Sequence, residues 1–197
     1  MIHQHELKAN DVHAYTLEML KEHLKIKVDG YICKTDMILN VLIKASAENS
    51  SLEAACGDLE ETADSNTIRE YLNEALPIKE LREQEKQVNK VLACGTPADL
   101  VRTDIEVALD FHDEPFYGKQ AGTRQVTCAG QAKKGTTHFV RIATAYIIWR
   151  QVRLTLAVRY VLPEDETLEI LKFLLQRLKK LGFKAKVLYM DKGFAST

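Results

Sequence analysis

The stretch "PEDETLEILKFLLQRLKKLGFKAKVLYMD", residues 163–191, decides the fold. Its acidic first turn, its leucine spacing and the lysines before Gly182 predict a helix whose charges suit the helix dipole. A strand over residues 184–190 follows at once and ends at Asp191. Because a strand, helix, strand unit normally makes a right-handed crossover, this strand should lie parallel to an earlier one. The helix's expected apolar stripe is Leu168, Leu171, Leu174, Leu175, Leu178 and Leu181.

Upstream of this helix the sequence predicts a meander of strands. Residues 105–111 alternate apolar and polar side chains, which is typical of a strand with one buried face. Residues 139–149 and 152–162 predict two further strands, joined by a tight turn at Arg150 and Gln151. The predicted order is therefore three antiparallel strands, a helix and a parallel strand. In the third strand one face is expected to carry Leu154, Leu156, Val158, Tyr160 and Leu162.

The first half of the chain has helical periodicity instead. Residues 12–26 and 35–47 predict two amphipathic helices. The stretch "SSLEAACGDLEETADSNTIREYLNEAL", residues 50–76, predicts a helix-turn-helix with capping boxes at Ser50 and Glu53 and at Thr67 and Glu70. Such a motif lays its second helix in the major groove, which makes Arg69 and Asn73 candidate DNA-binding residues. Acidic neighbours would repel phosphate, so two simply packed helices are the alternative.

Gly95 and Pro97 mark the predicted domain boundary. The fold class is thus α+β, with an all-helical domain over residues 1–97 and a sheet domain over residues 98–197. The domains differ in charge: residues 1–97 hold 11 Lys and Arg against 17 Asp and Glu, and residues 98–197 hold 16 against 11.

Residues 115–162 contain eight basic and no acidic side chains. Such a block could neutralise the phosphates of double-stranded DNA, although a solvated basic face is the plainer interpretation. The candidate DNA contacts in it are Lys119, Arg124, Lys133 and Lys134.

Other features narrow the class of protein. No apolar run approaches the ~18 residues of a membrane helix, and the first residues lack the apolar core of a signal peptide. The four cysteines are scattered and indicate neither a disulfide framework nor a zinc site. A cytoplasmic protein without a membrane partner is expected.

The predicted strand order is similar to the opening half of a ribonuclease H-like fold, in which the fourth strand inserts beside the first. That insertion would set Asp110, on the first strand, next to Asp191, although residues 111–190 separate them. Two neighbouring carboxylates repel each other unless a cation lies between them, and oxygen ligands suit Mg²⁺ or Mn²⁺. Asp110 and Asp191 are therefore the candidate catalytic and metal-binding residues.

Two motifs carry a family resemblance. "ALDFHDEPFYGK", residues 108–119, and "YMDKGFAS", residues 189–196, resemble the two aspartate motifs of DDE transposases encoded by bacterial and archaeal insertion sequences. In that family the first aspartate is followed by a Pro-aromatic-Tyr-Gly turn, here at residues 115–118. The second motif is commonly Asp-Arg-Gly-Phe, and Lys192 stands where arginine is usual.

The resemblance implies a transposase that binds the terminal repeats of a mobile element and nicks and joins DNA with a two-metal Mg²⁺ or Mn²⁺ site. It also implies a homo-oligomer on paired DNA ends. The family's third carboxylate, a glutamate on a later helix, has no counterpart, so the 197-residue chain is expected to be a truncated transposase that is inactive alone. The alternatives are a noncatalytic DNA-binding regulator or remnant derived from a transposase and, less attractively, a related nuclease.

Overall fold

The computed structural model of this chain describes residues 8–101, 103–118 and 125–194. The chain divides into two compact units, Met1–Gln87 and Val88–Thr197. The first is helical and the second is a mixed sheet with a helix, so the α+β class is confirmed.

The first unit packs its helices around an apolar core. Its core side chains are fully or nearly fully buried: Ile26, Val28, Cys33, Ile38, Leu39, Val41, Ala55 and Ile68. They come from three helices and from the segment before the second helix. The helices are α1 (Ala9–His23), α2 (Thr35–Glu48), α3 (Leu52–Asp58), α4 (Ser65–Ala75) and the start of α5 (Leu81–Cys94).

The helix-turn-helix segment is present as α3 and α4, but the predicted capping boxes are wrong. The N-cap of α3 is Ser51, whose hydroxyl accepts a hydrogen bond from the Ala54 N–H at 3.1 Å. The N-cap of α4 is Asp64, which accepts from the N–H groups of Asn66 and Thr67. A further hydrogen bond from the Thr67 hydroxyl lowers the pKa of Asp64. Ser51 and Asp64, and not the predicted Ser50 and Thr67, therefore cap the two helices.

The second unit is built on a five-stranded sheet. Strand β1 pairs antiparallel with β3 and parallel with β5, and β3 pairs antiparallel with β2 and β4. The last strand therefore lies parallel to the first, as the sequence predicts. The elements are β1 (Asp104–Pro115), β2 (Cys128–Lys133), β3 (Thr136–Trp149), β4 (Val152–Val161), α6 (Thr167–Lys180) and β5 (Lys184–Met190).

The expected number of antiparallel strands is wrong by one. β2 lies in the Gly-containing basic stretch between the first two predicted strands, and it forms a hairpin with the beginning of β3. Its sequence, CAGQAK, lacks β-branched and aromatic residues, so local propensity gives no strand signal there. The hairpin turn holds Lys134 at φ 52° and Gly135 at φ 80°.

The predicted turn between β3 and β4 is confirmed. β3 ends at Trp149 and β4 begins at Val152, and Arg150 and Gln151 have φ values of 48° and 66°. Two positive φ angles in a two-residue connection match the turn that suits the twist of a hairpin.

The predicted facing of β4 is wrong beyond its midpoint. Ala145 pairs with Ala157 and Tyr146 pairs with Thr155, so Leu156 is an extra residue in β4. Leu156 and its neighbour Ala157 are both fully buried. This bulge reverses the alternation, and Val158 and Tyr160 leave the face that carries Leu154.

Helix α6 covers one face of the sheet. Ile170, Leu174 and Leu178 of the helix share a buried cluster with residues such as Val107 and Ala143 of the strands. The predicted stripe is wrong at Leu168, which is 55% exposed. The helix begins at Thr167, so Leu168 lies in the first turn and Ile170 takes the inward position.

Two features protect the edges of the sheet. The buried side chain of Asn89 donates to the Val158 carbonyl at 2.8 Å and accepts from the Val158 N–H at 3.1 Å, which occupies the edge of β4. At the other edge, β5 exposes Lys184 and Lys186, and Lys186 is the extra residue of a bulge opposite β1. Edge lysines and bulges discourage pairing with another strand.

Candidate functional site

Asp191 follows β5 directly and lies beside Leu109, the residue before Asp110 on β1. Leu109 of β1 is the register partner of Met190 of β5. One residue further on, the Asp191 N–H donates to the Leu109 carbonyl at 3.4 Å. Asp110 is half-buried and Asp191 is exposed. Since neighbouring strands lie about 4.8 Å apart, the parallel pairing brings close together the backbones of two aspartates that are far apart in sequence.

A pair of stacked phenylalanines fixes the chain just after each aspartate. The rings of Phe111 and Phe194 stack with their centroids 4.0 Å apart and an interplanar angle of 9°. The Phe194 N–H also donates to the Asp191 carbonyl at 3.0 Å, which closes a tight turn. A Cβ atom on Gly193 would lie 3.0 Å from the Phe111 ring, so a side chain there would require the ring to shift by a few tenths of an ångström.

Sequence reasoning missed this aromatic pair. The available signal is that one phenylalanine follows Asp110 directly and the other lies three residues after Asp191.

Arg141 and Asp113 form an ion pair beside the stack. They face each other across β1 and β3, and two nitrogens of the guanidinium donate to the two carboxylate oxygens at 2.7 and 2.9 Å. The hydrogen bonds to Asp113 raise the pKa of Arg141 above its ordinary value. The same guanidinium lies 5.7 Å from the centroid of the Phe111 ring. The charge of Asp113 is therefore balanced within the sheet.

A cleft of about 610 Å³ opens beside these residues. Asp165 in its wall accepts a hydrogen bond from the Leu162 N–H at 2.9 Å and pairs with Arg159. Cys128 also lines the cleft, and burial raises the pKa of its thiol. Asp110 is not among the lining residues, which include Phe111, Asp113, Arg141, Asp165, Asp191 and Gly193. The cleft therefore reaches Asp191 but not Asp110.

The donor atoms of the pair fit a hard cation. Carboxylate oxygens are the ligands that Mg²⁺ and Mn²⁺ prefer. Within residues 8–101, 103–118 and 125–194, no group of three or more His, Cys, Asp or Glu side chains is arranged to hold a metal ion. Asp110 and Asp191 themselves could offer two carboxylates to an ion.

The candidate DNA-reading residues of α4 differ in their surroundings. Arg69 lies 3.3 Å from a carboxylate oxygen of Glu53 on α3 and donates to the side chains of Ser65 and Asn66. Asn73 is exposed. The guanidinium of Arg69 is therefore engaged in holding α3 and α4 together, whereas Asn73 is accessible.

The basic block is partly used inside the second unit. Arg141, Arg150 and Arg159 pair with Asp113, Asp99 and Asp165. Arg153 lies over the Tyr146 ring at 3.7 Å. By contrast, Lys133 and Lys134 are exposed at the tip of the β2–β3 hairpin. Lys119 and Arg124 lie outside the described residues.

Comparisons of the chain with protein-family models, with curated proteins and with solved structures found no match. Among the described residues, no helix has the length and apolar character needed to cross a membrane.

Proposed function

We propose that this chain is a DNA-binding protein of the DDE transposase type, with Asp110 and Asp191 as the metal-binding residues of a phosphoryl-transfer site. The observation that carries the proposal is the parallel pairing of β5 with β1, which sets Asp191 beside Asp110. The strand order β4, β3, β1, β5, with α6 between β4 and β5, supports a ribonuclease H-like arrangement.

The proposed chemistry depends on two adjacent negative charges. Carboxylates on neighbouring stretches of backbone repel each other, and a divalent cation relieves that repulsion. When bound, Mg²⁺ or Mn²⁺ ions in a two-metal site activate an attacking oxygen and stabilise the leaving one. Asp110 and Asp191 would hold the ions, while the Phe111–Phe194 stack keeps Asp191 against β1.

Double-stranded DNA is the proposed substrate, with the terminal repeats of a mobile element as its specific form. The exposed lysines of the β2–β3 hairpin, Lys133 and Lys134, would contact the phosphate backbone. Asn73 is the accessible candidate for base contacts on α4. A homo-oligomer on paired DNA ends belongs to the same proposal.

A Mn²⁺ titration followed by electron paramagnetic resonance tests the site. Wild-type chain is compared with Asp110→Asn and Asp191→Asn, and Asp58→Asn, an exposed aspartate of the first unit, is the matched control. Both site variants should lose most of the bound Mn²⁺, and the control should titrate as wild type. Equal titration in all four proteins would remove the site assignment. Duplex DNA binding without any Mn²⁺ response would assign the chain to a noncatalytic regulator.

A further inference from the structure

Tyr117 presents an aromatic ring to solvent beside a basic turn. Its side chain is 68% exposed, and its hydroxyl donates to the Lys134 carbonyl at 2.7 Å. The ring is therefore held at one end while most of the side chain stays exposed to solvent. An exposed aromatic ring that is fixed in place loses little conformational freedom when a flat ligand stacks on it.

The segment that carries Tyr117 is tied to the β2–β3 hairpin. The Phe116 N–H donates to the His138 carbonyl at 2.9 Å, and the Thr136 hydroxyl donates to the Phe116 carbonyl at 2.8 Å. Together with the Tyr117 hydroxyl, these bonds join the end of β1 to both sides of the hairpin turn. The position of the ring relative to the turn is thus set by the fold.

The chain segment that carries the ring and the hairpin is basic, which favours a polyanion. Lys133 and Lys134 are exposed, and within the described part of the chain no ion pair engages either of them. Residues 115–162 contain no acidic side chain. An aromatic platform beside lysines is the combination with which proteins bind single strands of nucleic acid.

We propose that Tyr117, Lys133 and Lys134 form a binding site for an unpaired nucleotide, with the base stacked on the Tyr117 ring and the neighbouring phosphates on the two lysines. In a duplex the faces of the bases are covered by their neighbours, so the ring recognises single-stranded segments such as opened or nicked ends. This inference rests on the proposed function, because it names the form of DNA that the same protein binds.

The test measures fluorescence anisotropy of a labelled single-stranded oligonucleotide and of its duplex, with the full chain and without divalent ions. Tyr117→Ala should weaken binding of the single strand by roughly 5- to 100-fold, the range expected for one base–aromatic stack. Tyr117→Phe keeps the ring and should bind within about twofold of wild type. Tyr31→Ala removes a fully exposed tyrosine of the first unit and should leave binding unchanged.

Salt dependence separates the stack from the charges. The slope of log affinity against log salt is negative, and Lys133→Gln and Lys134→Gln should each make it shallower by about 0.7 for a single strand. Tyr117→Ala should leave this slope unchanged. Circular dichroism checks that each variant is folded.

Several outcomes would overturn the site. A Tyr117→Ala loss no larger than that of Tyr31→Ala, or equal losses for single strand and duplex, would show that the ring does not stack on a base. Loss in Tyr117→Phe as large as in Tyr117→Ala would assign the effect to the hydroxyl. If wild type binds neither form of DNA, the proposed function itself fails, whereas duplex binding with no Tyr117 effect defeats only this inference.

Discussion

Gly193 lies where the Phe111 ring of β1 leaves little room for a side chain. An added Cβ would lie 3.0 Å from the Phe111 ring, which is already stacked on Phe194. Gly57, in α3, has no atom within 4 Å of its added Cβ. Alanine at these two positions should therefore have opposite effects on stability. At residue 193 the added methyl group crowds a ring, whereas at residue 57 it only changes the helix propensity.

We expect Gly193→Ala to lower the free energy of unfolding by about 1–3 kcal/mol, the usual cost of overpacking. Gly57→Ala should raise it by about 0.5–1 kcal/mol, since alanine is the better helix former. Urea unfolding followed by circular dichroism measures both. A change of the same sign in the two variants would contradict the close approach of the turn to β1.

At the scale of single residues, the sequence predicts a site at Asp110 and Asp191 but does not predict the stack beside them. An aspartate inside a strand stands out because strands are depleted in it. A phenylalanine in a strand does not stand out, and its stacking partner depends on ring orientations that only the folded chain fixes. The pairing of Arg141 with Asp113 was missed for the same reason, because register decides which side chains face each other.

Among the elements, α5 contributes a side chain that acts as a strand partner. Asn89 is 1% exposed, and its amide satisfies both backbone groups of Val158 at the edge of β4. An Arg177 guanidinium nitrogen donates to the backbone carbonyl of Asn89 at 2.9 Å, which ties α5 to α6 as well. One amide thus takes the place of a neighbouring strand at this position.

Asn89→Ala should destabilise the chain by about 2–3 kcal/mol, since it leaves a buried N–H and a buried carbonyl without their partner. The control is Asn73→Ala, an exposed asparagine of α4, which should stay within about 0.5 kcal/mol of wild type. Thermal and urea unfolding provide the measurement. Equal small effects in both variants would exclude a role of Asn89 at the sheet edge.

The elements themselves were predictable to different degrees. The strong periodicity of α6 and the alternation of β1 carry their own signal, and β5 follows from its position after α6. The bulge at Leu156 could not be predicted, because an inserted residue changes the register without changing the local composition. No helix was predicted over α5, because charged and polar residues make up most of its sequence.

In the sheet unit as a whole, the edges carry features that oppose strand pairing, whereas one face exposes apolar side chains to solvent. The face away from α6 holds Ile148 at 66% exposure and Tyr189 at 55%, beside a shallow groove of about 160 Å³. Both edges of the sheet carry features that oppose pairing. Apolar side chains left exposed on one face favour contact with another copy of the chain.

We expect self-association of this chain in sedimentation velocity, with a dissociation constant that Ile148→Lys raises about tenfold or more by placing a charge on the exposed face. Lys186→Val should strengthen association instead, because it removes a charge from the β5 edge. A monomer at all concentrations, or identical behaviour of the three proteins, would contradict this expectation.

The parallel pairing of β5 with β1 also determines when the two aspartates can come together during translation. Residues 111–190 must be synthesised after Asp110 before Asp191 exists. At a translation rate of about 5–20 residues per second, these 80 residues occupy roughly 4–16 s. During that interval the nascent chain carries the first aspartate without the second, and β1 lacks its parallel partner β5. A ribosome-bound chain therefore acquires the carboxylate pair only after β5 has been synthesised.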